Sequence, residues 1–330
     1  MGKDSPHRIA MARALCLVAV TVACRVGVAS ADEGGVPFWF SGQYASLAAV
    51  PATPGWSLPM QGYYYNGSAS RNKSFTIGDS VAFGLESSFP LLLVQPSYAP
   101  ERKLFGGQLS FGLGFGYGSN TTEADISTSP SGTGFGRSDS TTGFTDLYPI
   151  ASLAWNRGVN NWMTYVTGDV PTGDYDPTQL ANIGIGHAAI DAGGGYTYLD
   201  EQTGHEFSVV AGLTYNWENP DTDYQNGIDF HFDWGVSQFL SAHWQVGLAG
   251  YLYYQLTGDS GSGAKLGSFE SKVASIGPQI GYLFTIDGLQ AYANVRGYWE
   301  FWAENRLKGY AVFATLQIPL GSRGSKAKAK

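Results

Sequence analysis

The sequence predicts an all-β protein, a transmembrane antiparallel β-barrel of about 12 strands, with 14 as the alternative, and with an N-terminal plug-like segment in its lumen. Three observations lead to this prediction. Apolar and polar residues alternate along most of the chain, the connections between the alternating segments are short and long in turn, and an export signal precedes them all.

The composition fits a barrel that separates lipid from a polar interior. Gly (45), Tyr (20), Phe (18) and Trp (9) are abundant, whereas charged residues make up only 14%, against roughly 25% in an ordinary soluble domain. The mean hydropathy of -0.11 requires apolar and polar residues to be finely interleaved. The net charge of -8 makes nucleic acid an unfavourable partner, because its phosphate backbone is also negative.

Residues 1–31 have the features of a secretory signal peptide. Three basic residues precede an apolar run at residues 14–23, and small residues allow cleavage near Ala31. We therefore expect export to the outer membrane of a Gram-negative cell. Both cysteines, Cys16 and Cys24, lie in this leader, so the exported chain should contain neither a disulfide nor a thiolate metal site.

The segment at residues 32–56 is poor strand material, because it contains Pro37, Pro51, Pro54 and Gly55. We expect it to fold into or beneath the lumen as a plug. The barrel is expected at residues 57–320, and a basic tail follows at residues 321–330.

Period-two alternation predicts the barrel strands. In HEFSVVAGLTYNW, residues 205–217, Phe207, Val209, Leu213 and Tyr215 alternate with small or polar residues. Either a sandwich core or a bilayer would accept such an apolar face. Twelve segments carry the pattern, some of them weakly: 57–66, 89–98, 105–117, 146–156, 161–170, 187–199, 205–217, 228–240, 244–256, 271–285, 289–303 and 310–320.

The lengths of the connections favour the bilayer. Short and long connections alternate, and only the hairpin at residues 304–308 departs from this rule. The short ones are 100–103, 156–161, 200–204, 241–243 and 286–288, and the long ones are 67–88, 119–145, 171–186, 218–227 and 257–270. Short periplasmic turns, long outer loops and an even strand count are typical of bacterial outer-membrane barrels.

Aromatic residues are predicted to form two girdles at the ends of the strands. The expected outer girdle comprises Phe115, Tyr117, Tyr215, Trp217, Tyr254, Trp299 and Phe301, and the inner one comprises Trp244, Tyr282 and Phe284. Pro278 lies within a predicted strand, so a β-bulge is expected there. The glycines of FGLGFGYG, residues 111–118, are expected to make room for a plug or an inward loop.

The polar faces of the strands indicate what lines the lumen. Asp229, His231 and Asp233 share one face of a strand, and Arg296 and Glu300 face inward from another. We interpret them as an electrostatic ladder of paired charges. The alternative is an acid-base or metal site, but two-residue spacing on one strand does not close a coordination sphere. The expected solute path is lined by Glu206, Asp229, His231, Asp233, Tyr251, Tyr253, Gln279, Tyr292, Arg296, Tyr298 and Glu300, with no catalytic residue, cofactor or metal.

Several blocks of the chain resemble the outer-membrane family named for the meta pathway of phenol degradation. They are NIGIGHAAIDAGGGYTYLDEQTGHEF (182–207), NWENPDTDYQNGIDFHFDWG (216–235), QLTGDSGSGAKLG (255–267), IGPQIGYLF (276–284) and AENR (303–306). The resemblance covers about residues 34–320. It implies a channel-type barrel, often found with genes for the catabolism of aromatic or other hydrophobic compounds, and it brings no established binding residues. The basic tail departs from the family, because such barrels commonly end on an aromatic residue that the assembly machinery reads.

Together, these features predict an outer-membrane channel for the passive uptake of small hydrophobic compounds, aromatic ones among them, linked to catabolism. The expected partners are outer-membrane lipid, lipopolysaccharide, the barrel assembly machinery and the solute. A barrel enzyme that hydrolyses lipid or ester and a structural or adhesive barrel remain as alternatives. An enzyme would need Ser, His and an acid at the outer rim, where only His187 and His231 are near suitable positions, without a Ser in a recognisable setting.

Overall fold

The computed structural model describes residues 37–69, 74–77, 80–127, 135–264 and 267–320. The predicted signal peptide, residues 32–36 and the basic tail lie outside these ranges. Within them, no helix is long and apolar enough to cross a membrane. The strands are β1 (Gly55–Ser68), β2 (Ser74–Ile77), β3 (Ser80–Val94), β4 (Ser97–Ala99), β5 (Gln108–Ser127), β6 (Phe135–Phe144), β7 (Tyr148–Arg157), β8 (Asn160–Asp169), β9 (Ala189–Asp200), β10 (His205–Asn216), β11 (Asp229–Phe239), β12 (Trp244–Gln255), β13 (Lys272–Ile286), β14 (Leu289–Glu304) and β15 (Lys308–Pro319).

These strands form one closed antiparallel barrel. Each strand pairs with its neighbours around the wall, and β15 pairs with β1 from Ser57↔Pro319 to Ser68↔Lys308, which closes the sheet. Three positions around the barrel are each occupied by two elements, β1 with β2, β3 with β4, and β6 with β7. The wall therefore has twelve strand positions, which confirms the predicted number over the alternative of 14.

The alternation in each strand separates an outer apolar face from a lumen face. In β10, Glu206 and Ser208 point inward and are buried, whereas Phe207 is 40% and Leu213 50% exposed on the outside. The same arrangement recurs around the wall, so apolar side chains form an exposed outer belt. Such a belt suits contact with lipid and not a sandwich core. The apolar face of residues 205–217 is thus the outer surface of the barrel.

Aromatic residues cluster on the outer face at both ends of the strands. Near the long loops, Tyr215 and Trp217 lie 5.3 Å apart between ring centroids. Near the short turns, the Trp244 and Tyr282 rings are 4.7 Å apart. These contacts fall where the two girdles were predicted.

The structure corrects the predicted loops on the long-loop side. β3 already begins at Ser80, β5 continues to Ser127, and β6 begins at Phe135, so the segments 67–88 and 119–145 are largely strand. Most of their residues are polar on both faces, and the one apolar alternation, at Val81, Phe83 and Leu85, is short. At the other end of β5, Phe105 is not a strand residue but lies in a turn, with a φ of 48° and 85% exposure.

Two expectations about the wall were wrong. Pro278 faces Leu248 of β12 in unbroken register, and the irregularity of β13 lies instead between Ala274 and Ser275. The glycines of residues 111–118 accommodate neighbouring wall residues and not the plug: a Cβ at Gly114 would lie 3.2 Å from Tyr148, and one at Gly116 would lie 2.6 Å from the Leu93 side chain.

Candidate functional site in the lumen

The N-terminal segment fills the centre of the barrel. Residues 37–54, here called the plug, run from a small cavity beside Asn216 and Asp229 near the long loops to the start of β1 on the short-turn side. Trp39, Phe40 and Ala49 are buried. β1 begins at Gly55 and not at residue 57, so the last two residues assigned to the segment belong to the wall.

One side of the lumen is polar. We define the polar wall as the lumen-facing side chains of β9, β10 and β11, which are Asp191, Thr197, Glu206, Thr214, His231 and Asp233. Asp233 accepts hydrogen bonds from two plug N–H groups, at 2.9 Å from Gly42 to Oδ1 and 3.2 Å from Tyr44 to Oδ2. One carboxyl group thus satisfies two backbone donors that would otherwise be buried without a partner.

The same wall holds the plug further toward the short turns. Glu206 Oε1 accepts from the Leu47 N–H at 2.9 Å, and Thr197 Oγ1 accepts from the Ala49 N–H at 3.0 Å. Glu206 is fixed in turn by the hydroxyls of Ser208 and Ser237. Because these bonds go to backbone groups, they hold the path of the segment whatever its side chains are.

Near the long loops, the polar wall contacts the plug through the His231 ring. His231 Nε2 lies 2.8 Å from Asp191 Oδ2, and both side chains are fully buried. The Trp39 ring stacks on the His231 ring at a centroid distance of 3.4 Å. The Thr214 hydroxyl donates to the same Asp191 oxygen at 2.6 Å, so His231 is held by its neighbours in the wall and covered by the plug.

Another part of the lumen wall is rich in aromatic residues. We define the aromatic wall as Tyr63, Tyr65, Phe89, Tyr251, Tyr298 and Phe313, which belong to one buried cluster. Phe40 of the plug packs edge-on against Tyr63, with centroids 5.2 Å apart and planes at 76°. Tyr63 packs in turn on Phe313 at 4.7 Å. Adjacent plug residues therefore face different walls, Trp39 the polar one and Phe40 the aromatic one.

The plug turns sharply at Gly42, where β14 contacts its carbonyls. Arg296 donates to Gly42 O at 3.1 Å and to Gln43 O at 2.6 Å, and the Tyr298 hydroxyl donates to Gly42 O at 3.0 Å. Gly42 has a φ of 85°, and a Cβ there would lie 2.7 Å from the Tyr298 ring. Only glycine fits this turn, because both the backbone conformation and the nearby rings exclude a side chain.

The expected electrostatic ladder is wrong in its pairing. Asp229, His231 and Asp233 do not form one charged group: Asp229 accepts from the Asn216 amide at 2.9 Å, and the other two have the separate partners described above. Arg296 binds plug carbonyls. Within the described ranges, no three His, Cys, Asp or Glu side chains are arranged to hold a metal ion.

The remaining predicted residues contact the plug, one another or other side chains of the barrel. Gln279 donates to Ser46 Oγ of the plug at 2.9 Å. Tyr251 donates to Glu300 at 2.8 Å, and Tyr292 donates to Gln245 at 2.8 Å. The Tyr253 ring lies under the Arg306 guanidinium at 5.1 Å.

Cavities lie at both ends of the plug. The one beside Asn216 and Asp229 has a volume of about 20 Å³, which holds about one water molecule. The other, of about 340 Å³, lies on the short-turn side and is lined by plug residues together with Tyr292 and Arg296. We call it the inner vestibule. The plug therefore lies between a small outer cavity and a larger inner one.

An outer loop also folds into the lumen. Leu180 and Ile183 are almost fully buried, and Asp146 holds the ends of this loop by accepting N–H bonds from Thr172, Gly173 and Ile185 at 2.7–2.9 Å. The connection lengths predicted residues 171–186 only as one of the long outer loops. The LANIGI run at residues 180–185 was the available signal, because four apolar residues are unusual in an exposed loop.

Sequence reasoning missed four residues that shape the site. Asp191 was detectable, because it is the only acid in the predicted strand 187–199. Gly235 marks where the plug crosses β11, since a Cβ there would lie 2.8 Å from Ser46 N. Trp39 and Phe40 stand in a segment without periodicity, and no sequence signal assigns them to different walls.

The fold and the lumen define the class of the protein, an outer-membrane β-barrel. Among solved structures, the chain is similar to the COG4313 outer membrane channel from Pseudomonas putida F1, with a TM-score of 0.61, 13% identity, and coverage of 81% of this chain and 97% of that one. It also matches the β domain of the Bordetella autotransporter BrkA, with a TM-score of 0.47, 11% identity, and coverage of 81% and 100%. At these identities the likeness concerns the fold alone.

The family follows from the sequence match. The family model described as "Putative MetA-pathway of phenol degradation" matches residues 70–316, and the chain belongs to this family. No curated protein matches the chain significantly.

Proposed function

We propose that the protein is a channel for the passive uptake of small hydrophobic solutes, including aromatic ones, for catabolism. The observation that carries this proposal is the aromatic wall. Its rings form one buried cluster with Phe40 of the plug, Tyr63 packs edge-on against that ring, and Arg296 and Tyr292 line the inner vestibule. Aromatic rings offer a solute without charges an apolar surface with preferred edge-on and offset geometries.

Membership of a family described by phenol degradation agrees with such a solute. The similar channel from Pseudomonas putida supports a channel in place of an enzyme or an adhesin. We further propose that the exposed apolar belt contacts outer-membrane lipid, with lipopolysaccharide around the outer loops, and that the barrel assembly machinery inserts the chain.

The test is the uptake of radiolabelled phenol and of a hydrophilic solute of similar size by cells whose outer membrane carries the protein, compared with cells that lack it. We expect faster uptake of phenol only. Equal acceleration of both solutes would indicate a general pore, and no acceleration of either would overturn the proposal.

A further inference from the structure

Phe40 is placed as a bound ligand would be. It is 3% exposed, and its ring meets two tyrosine rings edge-on, Tyr63 at 5.2 Å and 76° and Tyr148 of β7 at 6.3 Å and 90°. Aromatic pairs prefer this T-shaped arrangement. The two tyrosines belong to the wall and Phe40 belongs to the plug, so the ring can leave while its cage remains.

The cage also contains a polar group without a partner. The Tyr148 hydroxyl is buried and makes no hydrogen bond to another described residue, although Thr145 lies close to it without reaching hydrogen-bonding geometry. The phenylalanine ring offers this hydroxyl nothing to bond. A buried polar group without a hydrogen bond is unfavourable, so a ring that carries its own hydroxyl would suit the cage better than Phe40 does.

The attachment of the plug allows such an exchange. The contacts of residues 38–40 with the walls are ring contacts, whereas residues 42–49 are bound through backbone groups to Asp233, Glu206, Thr197 and Arg296. Ring packing has no fixed partner, so Phe40 can be displaced without breaking the bonds that hold the rest of the plug.

We propose that Phe40 is the built-in occupant of a binding site for a single neutral aromatic ring that carries a hydroxyl, and that such a solute enters by replacing it. This inference rests on the proposed function, because it names the solute class and the point of passage in that channel. Phe40 competes with the solute, so the apparent affinity is lowered by the fraction of protein in which the cage is occupied.

The experiment measures binding of phenol to the purified full chain in detergent by calorimetry, with cyclohexanol as a probe of the same size and hydroxyl but without an aromatic ring. We expect Phe40→Ala to bind phenol about tenfold more tightly than the wild type, because the internal competitor is gone. Cyclohexanol should gain much less. Phe40→Ala/Tyr148→Phe should lose about two- to tenfold in phenol affinity relative to Phe40→Ala, because the hydrogen bond is missing.

Two matched variants test whether removal of any aromatic ring in the lumen raises the affinity for phenol. Trp39→Ala removes the adjacent ring, which faces the polar wall, and Phe89→Ala opens a cavity in the aromatic wall outside the cage. Neither should raise the affinity for phenol. An unchanged affinity in Phe40→Ala, or an equal gain in either control, would overturn the proposal. Heat-modifiable gel mobility confirms that each variant contains a folded barrel.

Uptake separates this inference from the proposed function. If wild-type cells take up phenol and Phe40→Ala does not change its binding, the channel stands and the Phe40 site is rejected. If Phe40→Ala binds phenol selectively but neither form accelerates uptake, the site stands and the transport function is rejected.

Discussion

The plug consists of two sections that the barrel holds by different physical means. The outer section, residues 38–40, contacts the walls through aromatic rings. The inner section, residues 42–49, is held by hydrogen bonds from its backbone to Asp233, Glu206, Thr197, Arg296 and Tyr298. Buried hydrogen bonds are directional and unfavourable to break, whereas ring contacts can be replaced by those of another ring. The inner section is therefore an anchor, and the outer section is exchangeable.

The largest structural change should follow removal of both sections. Deletion of residues 38–49 leaves the strand pairs of the wall intact, because β1 begins only at Gly55. We expect a severalfold increase in single-channel conductance in planar bilayers, since the plug fills the centre of the lumen. The retained barrel should still show heat-modifiable mobility. A conductance equal to that of the wild type would mean that the outer loop at residues 171–186, and not the plug, closes the lumen.

The next largest effect should follow loss of the Asp233 carboxylate, which binds the inner section at Gly42 and Tyr44. The reporter is Ser46→Cys, whose position is buried against Ser237 and Gln279, and which reacts with a maleimide only when the inner section leaves its place. In Asp233→Asn, one of the two plug N–H groups faces an amide donor in place of a carboxylate acceptor, which destabilises the docked inner section by about 1–3 kcal/mol. The labelling rate of the reporter should therefore rise about tenfold to a hundredfold.

Asp229→Asn is the matched control for this prediction. It makes the same change four positions earlier on the same strand, but Asp229 bonds to Asn216 and not to the inner section. Its labelling rate should equal that of the reporter alone. Equal acceleration by both substitutions would indicate a general loss of lumen charge and not the release of an anchor.

A steric change tests the close approach of plug and wall. In Gly235→Ala, the new Cβ would lie 2.8 Å from Ser46 N. We expect overpacking to destabilise the docked plug by about 1 kcal/mol. The Ser46→Cys reporter should then be labelled roughly fivefold faster. Gly62→Ala is the control, since its Cβ would meet atoms no nearer than 3.8 Å. Unchanged labelling in Gly235→Ala would show that the plug can shift at this crossing without being released.

The smallest effect concerns a single hydroxyl. Tyr298→Phe removes one hydrogen bond to Gly42 O, which Arg296 also contacts. We expect the docked inner section to be destabilised by about 0.5–1 kcal/mol. The Ser46→Cys reporter should then be labelled roughly threefold faster. Tyr292→Phe loses a bond to Gln245 and none to the plug, so it should have no effect. A larger effect for Tyr292 than for Tyr298 would contradict the assignment of the anchor.

Much of the wall was readable from the chain, because each strand residue has only two directions to face. The alternation in residues 205–217 identified the outer and inner faces of β10 without any tertiary information. The same rule assigned Asp229, His231 and Asp233 to the lumen. It failed at residues 119–127, because both faces of this strand carry mainly polar residues, which leaves no apolar alternation to detect.

The sequence by itself determined the barrel, because membrane lipid and a polar lumen impose a period of two on every wall strand, and connection lengths then give its two ends. Only the tertiary structure decided the course of the plug and the partners of the lumen side chains. Residues 37–54 have no repeating pattern, and Asp233 meets Gly42 across 191 positions of sequence. Such contacts depend on where the closed wall brings distant residues together, so that Trp39 faces histidine and Phe40 faces tyrosine.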